Sequence, residues 1–357
     1  MSVRSIAIAF AATTMASISG SQAVSEGFGG LGSAAEGFSV PQPGQLLRFS
    51  ADHGPHPDFR IEWWYLTANL EAPDGTQYGA QWTLFRSALA PGEAGEWSSP
   101  QIWMGHAAVT TSEDHFVAER ISRGGVGQAG VVAEPFAAWI DDWQMTGLAT
   151  PGSDQLADLN VTAAAKDFGY ELRLSATGPL VPHGDNGYSV KSAKGQASYY
   201  YSQPFYAVTG SLSLPTGSVE VAGKAWLDRE WSSQPLAEDQ TGWDWFSLHL
   251  DTGEKLMGFR LRDEGEGYTS ATWITADGRP DPLPAGALQI APVRTAKVAG
   301  RQIPVAWNIR IPSRGFDVTT RPLNDQAWMS TSTPYWEGPI SFGGNVGGRG
   351  YVEMTGY

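Results

Sequence analysis

Ile61–Leu70 reads IEWWYLTANL and Gln77–Leu89 reads QYGAQWTLFRSAL, with Pro73-Asp74-Gly75 between them. Both runs are rich in aromatic and β-branched residues, which suit a pleated, half-buried surface. Pro-Asp-Gly supplies the backbone angles of a tight turn. The stretch predicts a β-hairpin. Similar short runs recur at Gln101–Thr111, His115–Arg123, Phe168–Ala176, Phe205–Leu214 and Ser218–Leu227. They continue at Trp243–Leu250, Lys255–Arg262, Tyr268–Ile274, Val305–Ile311 and Gly350–Tyr357, and the 43 Gly and 23 Pro punctuate them. Many short strands between Gly/Pro turns imply an all-β chain of sandwiches or barrels.

The chain has 357 residues, against roughly 150 for one domain, so two domains are expected. An internal echo points the same way. Trp63-Trp64-Tyr65-Leu66-Thr67-Ala68-Asn69-Leu70 resembles Trp243-Asp244-Trp245-Phe246-Ser247-Leu248-His249-Leu250. Each segment meets a turn, Asp74-Gly75 or Thr252-Gly253, and a return strand carrying Arg86 or Arg260. Chance similarity in a Trp-rich chain gives one account and duplication of a β unit another. Duplication places a boundary near residue 235, with an N-terminal β domain over 46–235 and a C-terminal one over 236–357.

Hydrophobic residues make up 41 % and charged ones 17 %, a composition that packs rather than stays disordered. The net charge of −14 repels phosphate backbones and excludes nucleic acid as a partner. Cys is absent, which removes disulfides, thiolate catalysis and cysteine–zinc sites. The N-terminus has the order of a secretory signal: Arg4, an apolar stretch from Ile6 to Ile18, then Ser21-Gln22-Ala23. Residues 1–23 are therefore expected to be a signal peptide, 24–45 a flexible lead-in, and the mature protein periplasmic or extracellular. No later segment is apolar and long enough to cross a membrane as a helix.

Gly125-x-Gly127-x-x-Gly130 matches the dinucleotide fingerprint in spacing only, because Val131–Pro135 is no helix start. A Gly-x-Ser-x-Gly elbow is missing. His53 and His56 would clip a metal or bond to their own loop; the Gly54-Pro55 interruption favours the loop.

The chemically informative segment is Lys224-Ala225-Trp226-Leu227-Asp228-Arg229-Glu230-Trp231. In a strand, Trp226, Asp228 and Glu230 share one face, spaced by roughly 6.5 Å. Neighbouring carboxylates resist ionising together, and burial against Trp disfavours charge further. A carboxyl kept protonated in an aromatic pocket is a general acid. The same carboxylates can instead pair with Lys224, Arg229 or distant arginines. Tyr199-Tyr200-Tyr201, Trp63 with Tyr65, and Trp243 with Trp245 fit either a core or the walls of an apolar cavity.

Taken together, several segments resemble the carotenoid 1,2-hydratase/AttH-like family of secreted and periplasmic proteins. They are Asp52-His53-Gly54-x-His56, Glu62-Trp63-Trp64-Tyr65, Gln81-x-Thr83-x-Phe85-Arg86, Tyr200–Pro204, Trp226–Trp231, Gly242–Phe246, Tyr335–Gly338 and Gly350–Tyr357. The resemblance implies two lipocalin-like β units, the first more sandwich-like and the second more barrel-like, with a cavity near their junction. In the hydratases a Tyr-Leu-Asp segment supplies the aspartate thought to donate a proton. Its counterpart is Asp228, preceded here by Trp226 in place of Tyr. The expected activity is hydration of a double bond in an apolar, isoprenoid-like molecule, with Asp228 and Glu230 catalytic. Trp226, Tyr201, Trp243, Trp245, Trp63 and Tyr65 are the expected substrate contacts, and no metal or organic cofactor is called for. A lipocalin-like carrier of a hydrophobic ligand and a hydrolase using the carboxylate pair are the alternatives.

Overall fold

The computed structural model describes residues 36–92, 99–234 and 239–357. The expected signal peptide, the first part of the lead-in and the expected boundary at residue 235 lie outside the described residues. The first sheet contains β1 (Ile61–Glu71), β2 (Gln77–Ala88), β3 (Gln101–Thr110), β4 (His115–Arg123), β5 (Ala129–Ala133) and β6 (Phe136–Ile140). It continues with β7 (Trp143–Gly147), β8 (Asp158–Ala164), β9 (Gly169–Ala176), β10 (Val181–Pro182), β11 (Tyr188–Val190), β12 (Ala197–Leu214) and β13 (Gly217–Ser232). Its hydrogen-bonded order is β4-β3-β2-β1-β13-β12-β9-β8-β7-β6-β5, with β10 and β11 also on β12.

The second sheet is built from β14 (Gly242–Leu250), β15 (Lys255–Arg262), β16 (Tyr268–Ile274), β17 (Pro280–Pro282) and β18 (Gln289–Val298). β19 (Arg301–Ile311), β20 (Phe316–Pro322), β21 (Trp328–Met329), β22 (Tyr335–Gly344) and β23 (Gly348–Met354) complete it, in the order β17-β16-β15-β14-β23-β22-β20-β19-β18. One sheet closes nearly into a barrel and the other forms half of one, while helix accounts for 2 % of the described residues. The protein is all-β, with two lipocalin-like units.

The hairpin that opened the reading is present. β1 and β2 pair from Ile61↔Ser87 to Glu71↔Gln77, and Gly75 adopts the positive φ of 86° that the turn requires. Gly125 and Gly127 fall in the turn between β4 and β5, and Gly130 lies within β5. The end of the lead-in is pinned: the Tyr199 hydroxyl accepts from the Gln42 amide at 2.8 Å.

The echoed strands β1 and β14 hold equivalent roles. Each pairs with the following strand and with the last strand of its own sheet, β13 or β23. Each hairpin also buries a carboxylate between two arginines: Glu62 between Arg86 and Arg229, and Asp244 between Arg260 and Arg262.

Each unit has its own apolar core, and a third lies between them, built from Tyr65, Tyr200, Phe205, Trp226, Trp245, Met257, Phe259 and Tyr351 among others. Rings from β1 and β14 meet there, Tyr65 edge-on to Trp245 at 5.2 Å. A break in register between Gln203 and Tyr206 on β12 sends Phe205 into this middle core and Tyr206 into that of the first unit.

The units approach each other closely at Gly79 of β2. A Cβ there would sit 2.3 Å from the Tyr351 hydroxyl and 2.5 Å from Pro339. Gly79→Ala should therefore destabilise the protein by about 1–3 kcal/mol through overpacking. Urea unfolding measures this, and a midpoint equal to that of the parent protein would show that the contact gives way freely.

Candidate active site

Two-residue alternation along β13 sorts its side chains. Leu227 and Trp231 enter the first core. Arg229 lies over the Trp64 ring at 3.8 Å and pairs with Glu62. Trp226, Asp228 and Glu230 point the other way, toward the second unit. A cavity of about 300 Å³ opens there. Its walls include Trp63, Tyr65, Asp228 and Glu230 from the first unit and Trp243, Trp245, Phe259 and Glu353 from the second.

Asp228 is buried and receives three neutral donors. Tyr200 Oη lies 2.7 Å from Oδ2, Trp226 Nε1 lies 2.6 Å from Oδ1, and the Ser202 hydroxyl also reaches Oδ1. Burial pushes the carboxyl from its ordinary 3.8 up to about 7, against the pull of these hydrogen bonds and with a small contribution from the Glu230 charge. Protonated Asp228 can keep all three contacts. The Ser202 hydroxyl then turns to His183 Nε2, 2.6 Å away, while His183 Nδ1 donates to Thr272 Oγ1 at 3.0 Å. That arrangement needs a neutral imidazole, and burial, helped by the Lys191 charge, holds His183 well below its usual range.

Glu230 differs. It pairs with Lys191 at 2.8 Å and accepts from Ser198, and the same ammonium lies over the rings of Tyr200 and Phe259. Its charge is thus compensated at the site, and it acts on Asp228 from a distance.

The expected contacts divide. Trp63, Tyr65, Trp243 and Trp245 stand in the cavity wall. Trp226 does not. It sits behind Asp228, and its indole N–H stabilises the ionised carboxylate rather than raising its pKa. Tyr201 requires a correction. It pairs across β13 with Arg229, so alternation turns it into the first core, where it bonds to His53 at 2.7 Å. Its neighbour Tyr200 takes the place at the acid. His53 and His56 are held by loop and strand groups, His56 stacking on Trp231 at 4.0 Å and bonding to Glu62.

Two acids went unassigned in the sequence. Glu353 lines the cavity, accepts from Trp243 Nε1 at 2.8 Å and contacts the Tyr65 hydroxyl. Burial raises it to about 7, against those hydrogen bonds, with the charges of Asp228 and Glu230 adding to the rise. Glu337, buried behind it, accepts from Tyr65 Oη at 2.6 Å. Burial and the nearby Glu353 charge lift it well above the carboxylate range. Their readable signal was a glutamate amid apolar strand residues, in Tyr335–Ile340 and Tyr351–Met354.

The model of a family described as AttH-like matches residues 40–357. The chain belongs to the AttH-like family. It is similar to the solved structure of an AttH protein from Nitrosomonas europaea at 33 % identity, covering 90 % of this chain and 99 % of that one, with a TM-score of 0.78. Kievitone hydratase from Nectria haematococca shares the fold at 18 % identity, 89 % and 95 % coverage and a TM-score of 0.66. CghA, solved with Sch210972, shares it at 15 % identity, 90 % and 97 % coverage and a TM-score of 0.54. None of the curated proteins matches this AttH-like sequence significantly. No helix among the described residues is long and apolar enough to cross a membrane.

The raised Asp228 pKa carries a linkage consequence. Unfolded, the carboxyl loses its proton near 3.8; folded, it keeps it to about 7. The native state therefore binds more protons between those values, and its stabilisation is lost as pH rises through that window. Asp228→Asn should flatten this decline, by up to about 4 kcal/mol at pH 7 and above. Urea unfolding from pH 4 to 8 tests it; identical slopes in both proteins would mean Asp228 is ionised throughout.

Proposed function

We propose that this AttH-like protein is a hydro-lyase-type enzyme that adds water to a double bond of an apolar, isoprenoid-like molecule. The observation that carries the reading is Asp228, whose burial keeps a proton near neutrality in the wall of an aromatic cavity. Asp228 transfers that proton to one alkene carbon; a C–H bond forms and the O–H bond breaks. The positive charge moves to the more substituted carbon, where the faces of Trp63, Trp243 and Trp245 stabilise it. Water then adds, and its surplus proton passes to the Glu353 carboxylate. A carboxyl near 7 is partly ionised at neutral pH, as a base requires. Support also comes from the fold shared with a protein named as a hydratase. A volume of about 300 Å³ lies at the lower end of small-molecule sites, which suits a compact substrate or one end of a longer chain.

The decisive experiment incubates the protein with an isoprenoid alkene panel in heavy-oxygen water and analyses the products by mass spectrometry. Labelled tertiary alcohols are expected. Labelled acids would indicate hydrolysis, and bound but unaltered alkene would indicate a carrier. Asp228→Asn should lower turnover by about a hundredfold to ten-thousandfold while leaving ligand affinity nearly unchanged. A variant with normal turnover would remove Asp228 from the mechanism. The reading includes export of a mature chain beginning at Val24. Intact mass of the periplasmic or secreted material checks this, and retention of Met1 would contradict it.

A further inference from the structure

A line of buried hydrogen-bonding groups leads away from the cavity. Glu353 contacts the Tyr65 hydroxyl, and Tyr65 donates to Glu337 Oε1 at 2.6 Å. Glu337 Oε2 has no hydrogen-bond partner, while the carboxyl group as a whole interacts with the Tyr335 hydroxyl. Tyr335 Oη lies 3.0 Å from His106 Nδ1, and His106 Nε2 lies 3.1 Å from Glu119 Oε1. Glu119 ends the line at the surface, where its side chain is 21 % exposed. The groups come from β23, β1, β22, β3 and β4, so the line crosses from one unit to the other.

We propose that Glu353, Tyr65, Glu337, Tyr335, His106 and Glu119 form a proton wire that carries protons between the cavity and solvent.

Every inner member can give a proton on one side and take one on the other. Their charge states align the donors outward. Burial keeps Glu353 and Glu337 protonated up to or beyond neutrality. Burial and the neighbouring acids keep Tyr65 and Tyr335 as neutral hydroxyls. His106 is held neutral by burial, against the pull of Glu119. At Glu119 the hydrogen bonds from His106 and Ser332 outweigh burial and favour the carboxylate. Once Glu353 holds a proton, the wire therefore begins on a carboxylic acid and ends on a carboxylate.

A concerted shift balances bond by bond. The Glu353 proton goes to Tyr65, and the Tyr65 proton to Glu337 Oε1. The proton on Glu337 Oε2 goes to Tyr335, that of Tyr335 to His106 Nδ1, and that of His106 Nε2 to Glu119. Five O–H or N–H bonds break, five form, His106 changes tautomer, and one proton leaves the cavity. The use of this exit in catalysis rests on the hydration reading, in which Glu353 takes the proton of the added water while substrate fills the cavity.

The test needs no substrate, so it stands or falls apart from that reading. The carboxylic C=O stretch of Glu337, assigned by its loss in Glu337→Gln, shifts when its proton is replaced by deuterium. Infrared spectra after rapid mixing into heavy water then report the exchange rate. Tyr65→Phe severs the cavity side, and exchange should stay as fast as in the parent protein because the Tyr335–His106–Glu119 limb still conducts. Adding Tyr335→Phe should slow exchange tenfold or more. Adding Glu119→Gln instead, a half-buried site that tolerates change, should slow it as well, and serves if the double Tyr variant does not fold. Slow exchange in Tyr65→Phe alone would show that the outer limb does not conduct. Parent-like exchange in both double variants would show that protons reach Glu337 by another route. Either result overturns the wire; a network that only fastens the units together would exchange at the same rate or faster when loosened.

Discussion

The organisation of the site depends on the second half of β13 having no solvent face. Most strands can turn polar residues to water, but here both sides of Ala225–Ser232 are buried, so each polar group must find a partner inside the protein. The two faces find different kinds of partner. On one, Arg229 and Arg86 meet Glu62; burial alone would raise that carboxyl, but the two guanidinium charges hold it well below its usual range. On the other, Asp228 meets Tyr200, Ser202 and Trp226, which donate hydrogen bonds but bring no charge. Desolvation then prevails, and the acid keeps its proton. Two carboxyls on neighbouring strands, equally removed from water, thus reach opposite states because one has cations beside it and the other has only dipoles.

Much of this was legible in the sequence because strand periodicity is strict. The hairpin at 61–89, the shared face of Trp226, Asp228 and Glu230, and the echo of Trp63–Leu70 in Trp243–Leu250 follow from local pattern. The Tyr199–Tyr201 run shows where that legibility ends. Alternation says that Tyr200 and Tyr201 face opposite ways, but which one faces Asp228 is fixed by register with β13, Tyr200 opposite Glu230 and Tyr201 opposite Arg229. Trp226 marks a second limit: its ring suggested burial of the acid, while its N–H proved to be a hydrogen-bond donor to it. Glu337 and Glu353 were visible as acids among apolar residues. Their meeting with Tyr65, which precedes Glu337 by 272 positions, depends on how two sheets pack, and no local pattern encodes that.

The two units also divide the labour. The first contributes Asp228 with its three donors and the Glu230–Lys191 pair; the second contributes Trp243, Trp245, Phe259 and Glu353. Membership in the AttH-like family fixes the scaffold, and the chemistry resides in how this chain furnishes the facing walls.

That division bears on how such a fold comes to fit new ligands. The width of the space between the walls is set by how closely the sheets approach, and one determinant of that approach is the missing side chain at Gly79, where β2 rests on Tyr351 and Pro339. Inheritance can therefore alter the shape of the space and the acidity of its wall by separate routes. Substitutions along the line of contact change what fits, while Asp228 and its donors, all carried on β12 and β13, lie outside that line. A lineage built this way can explore ligands widely without first losing its buried carboxyl.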